Sequence, residues 1–148
     1  MAATESLRWS HVGLNCVDQK QTEDFYTRWF GFQRARVIEA GDVRVIFLRR
    51  GGAYLELFAA DQGAGPAPAT KDGPTDPGTA RHLAFQVDDV DAFIAEAGEA
   101  IAVTLGPLGF DDVIPGWKTV WLRDPDGVII EVSQGYTDQS PSDLARGV

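Results

Sequence analysis

Two stretches of this 148-residue chain lie over one another without a gap: RVIFLRRGGAYLELF (Arg44–Phe58) and TVWLRDPDGVIIEVS (Thr119–Ser133). Gly52 falls on Gly127 and Glu56 on Glu131, each glutamate four residues past its glycine. Upstream, HVGLN (His11–Asn15) matches HLAFQ (His82–Gln86). From His11 to Glu56 is 45 residues and from His82 to Glu131 is 49, a difference that one loop absorbs. Self-similarity on this scale means one supersecondary unit built twice.

Hydrophobic periodicity fills in that unit. Trp9–Val17 alternates as a strand, with Val12, Leu14 and Cys16 on one face and His11, Gly13 and Asn15 on the other. Asp18 followed by Gln21 reads as a capping box, and Phe25, Tyr26, Trp29 and Phe30 form an apolar helical stripe ending at Gly31. Strand-like runs follow at Gln33–Glu39, Val43–Arg49 and Tyr54–Ala59, separated by glycine turns. The order then recurs: a strand at His82–Val87, a helix capped by Asp88 or Asp89 with Val90, Phe93, Ile94 and Ala97 inward, and strands at Ile101–Leu105, Lys118–Leu122 and Val128–Ser133. The expected fold is α+β, with two tandem β-α-β-β-β modules whose mixed sheets curl around a shared cavity. Residues 1–60 make the first module and 80–134 the second. DQGAGPAPATKDGPTDPGT (61–79) is an exposed Gly/Pro-rich connector, and 135–148 a loosely held tail.

Composition excludes several function classes. Thirteen Lys and Arg against 22 Asp and Glu give a net charge of −9, which repels nucleic acid and anionic membranes. No apolar run approaches the roughly 18 residues of a membrane helix. The first ten residues lack the apolar core of a signal peptide, so the expected location is cytoplasmic. Cys16 is the only cysteine, which excludes an intrachain disulfide and a cysteine-based zinc cluster.

Strand parity assigns chemistry to four residues. His11 and His82 lie opposite Leu14 and Phe85; Glu56 lies opposite Leu55 and Leu57, and Glu131 opposite Ile130 and Val132. The aliphatic set belongs under the helices, which leaves the imidazoles and carboxylates on the uncovered faces. A single strand histidine is more often a surface or hydrogen-bonded core residue than a ligand, and a single strand glutamate usually faces solvent. Here the chain's only two histidines occupy equivalent repeat positions, and so do the two glutamates. Two imidazoles and two carboxylates suit Zn, Ni, Co, Mn or Fe(II), one divalent ion per site, with positions left for water or substrate.

HVGLNCVDQKQTEDFYTRWFGF, RHLAFQVDDVDAF and WLRDPDGVIIEV resemble the vicinal oxygen chelate superfamily, which includes glyoxalase I, epimerases, ring-cleaving dioxygenases, fosfomycin-modifying enzymes and bleomycin-binding resistance proteins; the likeness runs from Trp9 to Gln134. It implies that His11, Glu56, His82 and Glu131 bind a metal that chelates two neighbouring substrate oxygens. The His/Glu/His/Glu order is similar to that of glyoxalase I-like members. Dioxygenases and fosfomycin-modifying enzymes generally lack a ligand at the Glu56 position, and epimerases carry Gln there. The implied activity is a lyase, isomerase or epimerase proton transfer beside a carbonyl through an enediolate, with Glu131 or Glu56 as base and Glu131 favoured by analogy. The alternatives are a metal-free antibiotic- or metabolite-binding resistance protein, an Fe(II) dioxygenase, or a secondary-metabolite enzyme of the same fold. A homodimer is the expected assembly, and the partner otherwise is a small molecule.

Substrate signals are sparser. Arg28, Arg34, Arg36, Arg44, Arg49 and Arg50 face only Glu39 and Asp42 over the same stretch, which fits either an anionic-substrate mouth or a solvated face. Trp117, Trp121, Phe47 and Phe110 are candidate pocket walls, and Gly106–Trp117 a candidate lid. No residues specify glutathione or coenzyme A.

Overall fold

The computed structural model describes residues 3–61, 65 and 68–146, so 62–64 and 66–67 of the expected connector lie outside the described residues. The chain divides into two compact units, Met1–Ala67 and Pro68–Val148.

In the first unit a 3-10 turn at Ala3–Ser6 precedes β1 (His11–Cys16), α1 (Gln19–Phe30), β2 (Gln33–Ala40), β3 (Val43–Arg50) and β4 (Ala53–Ala59). The sheet order is β1-β4-β3-β2, with β1 parallel to β4 and the remaining neighbours antiparallel. Helix α1 starts where Asp18, extended at φ −132°, accepts hydrogen bonds from the Lys20 and Gln21 amides at 2.9 and 3.1 Å. It stops at Gly31, whose φ of 68° is left-handed, and Arg50 Nη1 donates to the Phe30 carbonyl at 2.6 Å. Of the expected stripe, Tyr26 and Phe30 are buried, against a sheet face made of Leu14, Cys16, Ile46, Leu48, Leu55 and Leu57. Burying each such side chain contributes about 1.5–3 kcal/mol. The helix also buries Glu23, whose carboxylate accepts from Arg34 Nε and Nη2 at 2.8 and 2.6 Å. That hydrogen bond, with the attached charge, holds the Arg34 guanidinium above its ordinary pKa.

The second unit repeats the plan with β5 (Leu83–Gln86), α2 (Val90–Ala97), a 3-10 turn at Gly98–Ala100, β6 (Ala102–Gly109), β7 (Lys118–Arg123) and β8 (Ile129–Gln134), in the order β5-β8-β7-β6. Asp89 rather than Asp88 caps α2, accepting from the Ala92 amide at 3.0 Å. Val90, Ala97, Val120, Leu122, Ile130 and Val132 form its core. The segment read as a tail carries a one-turn helix, α3 (Pro141–Ala145), capped by Ser140 and burying no residue. No helix among the described residues is long and apolar enough to cross a membrane.

Two sequence expectations need correction. The sequence predicts mixed sheets that curl; neither is closed or strongly curled, and the edge strands are β1 and β2 in one and β5 and β6 in the other. Four strands are too few for twist alone to bring the edges together, since closure takes about eight. The second correction concerns the gapless repeat. Phe47 pairs with Glu56 and Trp121 with Glu131, so Phe47 corresponds to Trp121, not to Leu122 as the ungapped alignment has it. The β7–β8 connection is longer than the two-residue Gly51-Gly52 turn and takes up the slip.

Candidate functional site

In the first unit, parallel register sets His11 opposite Tyr54 and Gly13 opposite Glu56. His11 and Glu56 are therefore diagonal neighbours on one face, within reach of each other. His11 Nε2 lies 2.8 Å from Glu56 Oε2, and His11 Nδ1 lies 2.8 Å from Ser10 Oγ. The Phe47 ring meets the imidazole edge-on at 5.5 Å between centroids. The side chains are 36% and 18% exposed, so the pair faces solvent without being fully hydrated.

The second unit builds the same diagonal from Ala84 opposite Glu131, with His82 just ahead of β5. His82 Nε2 lies 2.7 Å from Glu131 Oε2. Here the supports differ. His82 Nδ1 lies 2.7 Å from the Asp72 carbonyl, and Thr119 Oγ1 donates to Glu131 Oε1 at 2.9 Å. A carbonyl only accepts, so Nδ1 carries the proton. The Nε2 atom then meets a carboxylate oxygen, an approach that a proton or a cation shared between the two groups satisfies.

Asp72 belongs to a strap that the sequence did not reveal. Ala69 O accepts from Arg123 Nη2 at 2.9 Å, Lys71 O from Thr104 Oγ1 at 2.6 Å, and Asp72 O from His82. These residues lie within the segment read as an exposed connector. Gly73 is essential to the bend: its φ is 120°, and a Cβ there would sit 1.7 Å from the Arg81 carbonyl. Backbone acceptors leave no composition signal, so the sequence alone does not show the strap. Ser10, beside His11, and Thr119, across the hairpin from Glu131, were visible as residues but not as partners. Buried Trp121, whose indole lies 6.5 Å from His82, has no acceptor for its Nε1–H among the described residues.

The structure thus joins His11 with Glu56 and His82 with Glu131. Among the described residues, no group of three or more His, Cys, Asp or Glu is placed to hold a metal ion. The donor types fit a divalent ion; the number in either unit, two, falls short of the three or four protein ligands such sites use. Of the candidate pocket walls, Phe47 and Trp121 stand beside the histidines, while Phe110 packs on Trp117 at 4.9 Å. The candidate lid is pinned, with Trp117 Nε1 donating to Ser133 Oγ at 3.1 Å and Asp111 accepting from the Gly116 amide at 2.8 Å. Much of the arginine cluster is structural: Arg34 pairs with Glu23, Arg50 caps α1, and Arg49 donates to the Gly51 carbonyl.

Comparison with solved structures agrees with this architecture. A glyoxalase family protein from Enterococcus faecalis is 31% identical, with 87% of this chain and 98% of that one covered and a TM-score of 0.66. A glyoxalase/dioxygenase from Nostoc punctiforme is 25% identical over 93% and 97% of the two chains, with a TM-score of 0.67. TnmS3, an antibiotic binding protein from Streptomyces sp. CB03234, shares the fold at 22% identity over 88% and 98%, with a TM-score of 0.62. No curated protein matches the chain. The profile of the Glyoxalase/Bleomycin resistance protein/Dioxygenase superfamily matches residues 8–132. With that match, and the twice-built β-α-β-β-β unit beneath it, the chain belongs to this superfamily, the vicinal oxygen chelate proteins.

Proposed function

We propose that this protein binds a small molecule, antibiotic or metabolite, through the faces that carry His11–Glu56 and His82–Glu131, and that it does so without a metal. One observation carries the reading: each imidazole is closed on its own carboxylate, at 2.8 and 2.7 Å, with no third His, Cys, Asp or Glu beside it among the described residues. Such a pair offers a ligand one hydrogen-bonding centre, and in the first unit Phe47 and Tyr54 flank it with half-buried aromatic surface. The antibiotic-binding protein of the same fold supports the same reading. This alternative has more support than the metal-dependent lyase or isomerase implied by the sequence resemblance.

Bleomycin is the first probe. Calorimetric titration of EDTA-treated protein should give binding at micromolar or lower Kd, weakened at least tenfold by Glu56→Gln combined with Glu131→Gln. Heat-silent mixing with a panel of aromatic antibiotics, bleomycin included, would contradict the reading.

The metal-dependent reading keeps one specific support. His82 Nδ1 is anchored on the Asp72 carbonyl, an orientation that leaves the Nε2 lone pair available for coordination, as in metal-ligating histidines. In that reading each His–Glu pair, His11 with Glu56 and His82 with Glu131, would contribute two ligands toward a divalent ion, which would supply Lewis-acid polarisation of two substrate oxygens. Glu131 or Glu56 takes the proton from the carbon beside the carbonyl and returns it to the same or the adjacent carbon. Either Glu→Gln change would then keep the fold and lower turnover by orders of magnitude. A homodimer belongs to the proposal as well, because both sheets leave edges open to pairing. Sedimentation equilibrium at twice the chain mass is the expected result.

A further inference from the structure

A cleft of about 380 Å³ opens in the first unit, lined by Ser6, Arg8, Trp9, Ser10 and Tyr54. Its residues are unusual for a solvated surface. Trp9 is 78% exposed, a large aromatic left uncovered just before β1. Arg8 makes no ion pair among the described residues, although acidic residues outnumber basic ones 22 to 13 in this chain. The Arg49 guanidinium stands 5.6 Å from the centre of the Tyr54 ring, and Arg49 is itself tethered to the Gly51 carbonyl at 2.7 Å. Cation–π attraction and that tether together hold the guanidinium against the ring.

We propose that this cleft binds a planar aromatic acid, with the ring against Trp9 and Tyr54 and the carboxylate on Arg8. The inference deepens the proposed function by naming the ligand class at the first unit's face, and it rests on that reading. Guanidinium binds carboxylate as a two-pronged donor, and an unpaired one loses no protein partner when it does so. Ser10 connects the cleft to the histidine. When His11 Nδ1–H donates to Ser10 Oγ, the serine hydroxyl hydrogen is released to a second acceptor, the ligand carboxylate. The second unit has no counterpart to this relay, because the Asp72 backbone carbonyl takes Nδ1 there. The two units therefore share one His–Glu plan and differ in what stands behind the histidine: a hydroxyl lining a cleft in the first, a strap carbonyl in the second.

The test uses 2-naphthoate and its neutral analogue 2-naphthamide, titrated calorimetrically into the full chain. Wild type should bind naphthoate at least tenfold more tightly than naphthamide. Arg8→Gln should remove that preference while leaving naphthamide affinity within twofold, and Trp9→Ala should weaken both. Arg146→Gln, which removes the same charge outside the cleft, should change neither, and circular dichroism checks that every variant is folded. Absence of naphthoate binding by wild type, or equal affinities in wild type, Arg8→Gln and Trp9→Ala, would overturn the proposal. Bleomycin binding in the same preparations separates the two claims: if it persists while naphthoate fails, the cleft assignment falls and the small-molecule reading stands; if both fail, both fall.

Discussion

At the scale of single residues, the two glutamates are not equivalent even though the repeat makes them look so. Glu131 Oε1 accepts from Thr119, which is 1% exposed, while Glu56 has only His11 among the described residues. A hydrogen bond to a charged, partly buried acceptor is worth about 1.5–3 kcal/mol, and leaving that acceptor unmet costs a similar amount. Thr119→Val keeps the shape and deletes the donor, so it should lower stability by about 1–3 kcal/mol in urea unfolding. A change below a few tenths would show that solvent satisfies Oε1. By the same reasoning, Glu131→Gln should cost more stability than Glu56→Gln. Parity puts His11, Glu56 and Glu131 on strands, and His82 falls one residue ahead of β5, because alternation is a local property that does not fix strand ends. Which oxygen or nitrogen each one meets depends on register and on the strap. Neither can be read off a one-dimensional pattern.

At the scale of elements, helix boundaries were legible because their signals are chemical: Asp18 and Asp89 as caps, Gly31 as a left-handed stop. Strand ends shifted by a few residues at most; β6 was the exception, running to Gly109 where the pattern suggested Leu105. The hairpin slip between Phe47 and Trp121 was hidden because an ungapped match rewards similarity, whereas pairing is set by turn length. The strap is the element with the sharpest prediction. Gly73 has no room for a Cβ beside the Arg81 carbonyl, so Gly73→Ala should displace residues 69–73 and release the carbonyl on His82 Nδ1. Limited proteolysis should then cut within the strap faster than in wild type, and Tm should fall by several degrees. Unchanged cleavage and Tm would mean that the strap does not hold the histidine in solution.

At the scale of the whole molecule, duplication decides the chemistry available. One β-α-β-β-β unit places one imidazole against one carboxylate, and repetition supplies a second pair with different backing. The twofold plan was legible because a long repeat leaves its mark on every element. The curl was not legible, since hydrophobic patterns report which face is buried and say little about how strongly four strands bend. The acidic balance adds a prediction at this scale: anionic ligands must find local cations such as Arg8 against an overall charge of −9, so affinity for an aromatic acid should change with ionic strength. The most direct test of the central claim is the metal content, by mass spectrometry, of protein purified without chelator, beside a His82→Ala control. Metal-free binding predicts far less than one divalent ion per chain, with no difference between the two proteins. One ion per chain, retained through dialysis and lost in His82→Ala, would contradict it and transfer the assignment to metal-dependent proton transfer.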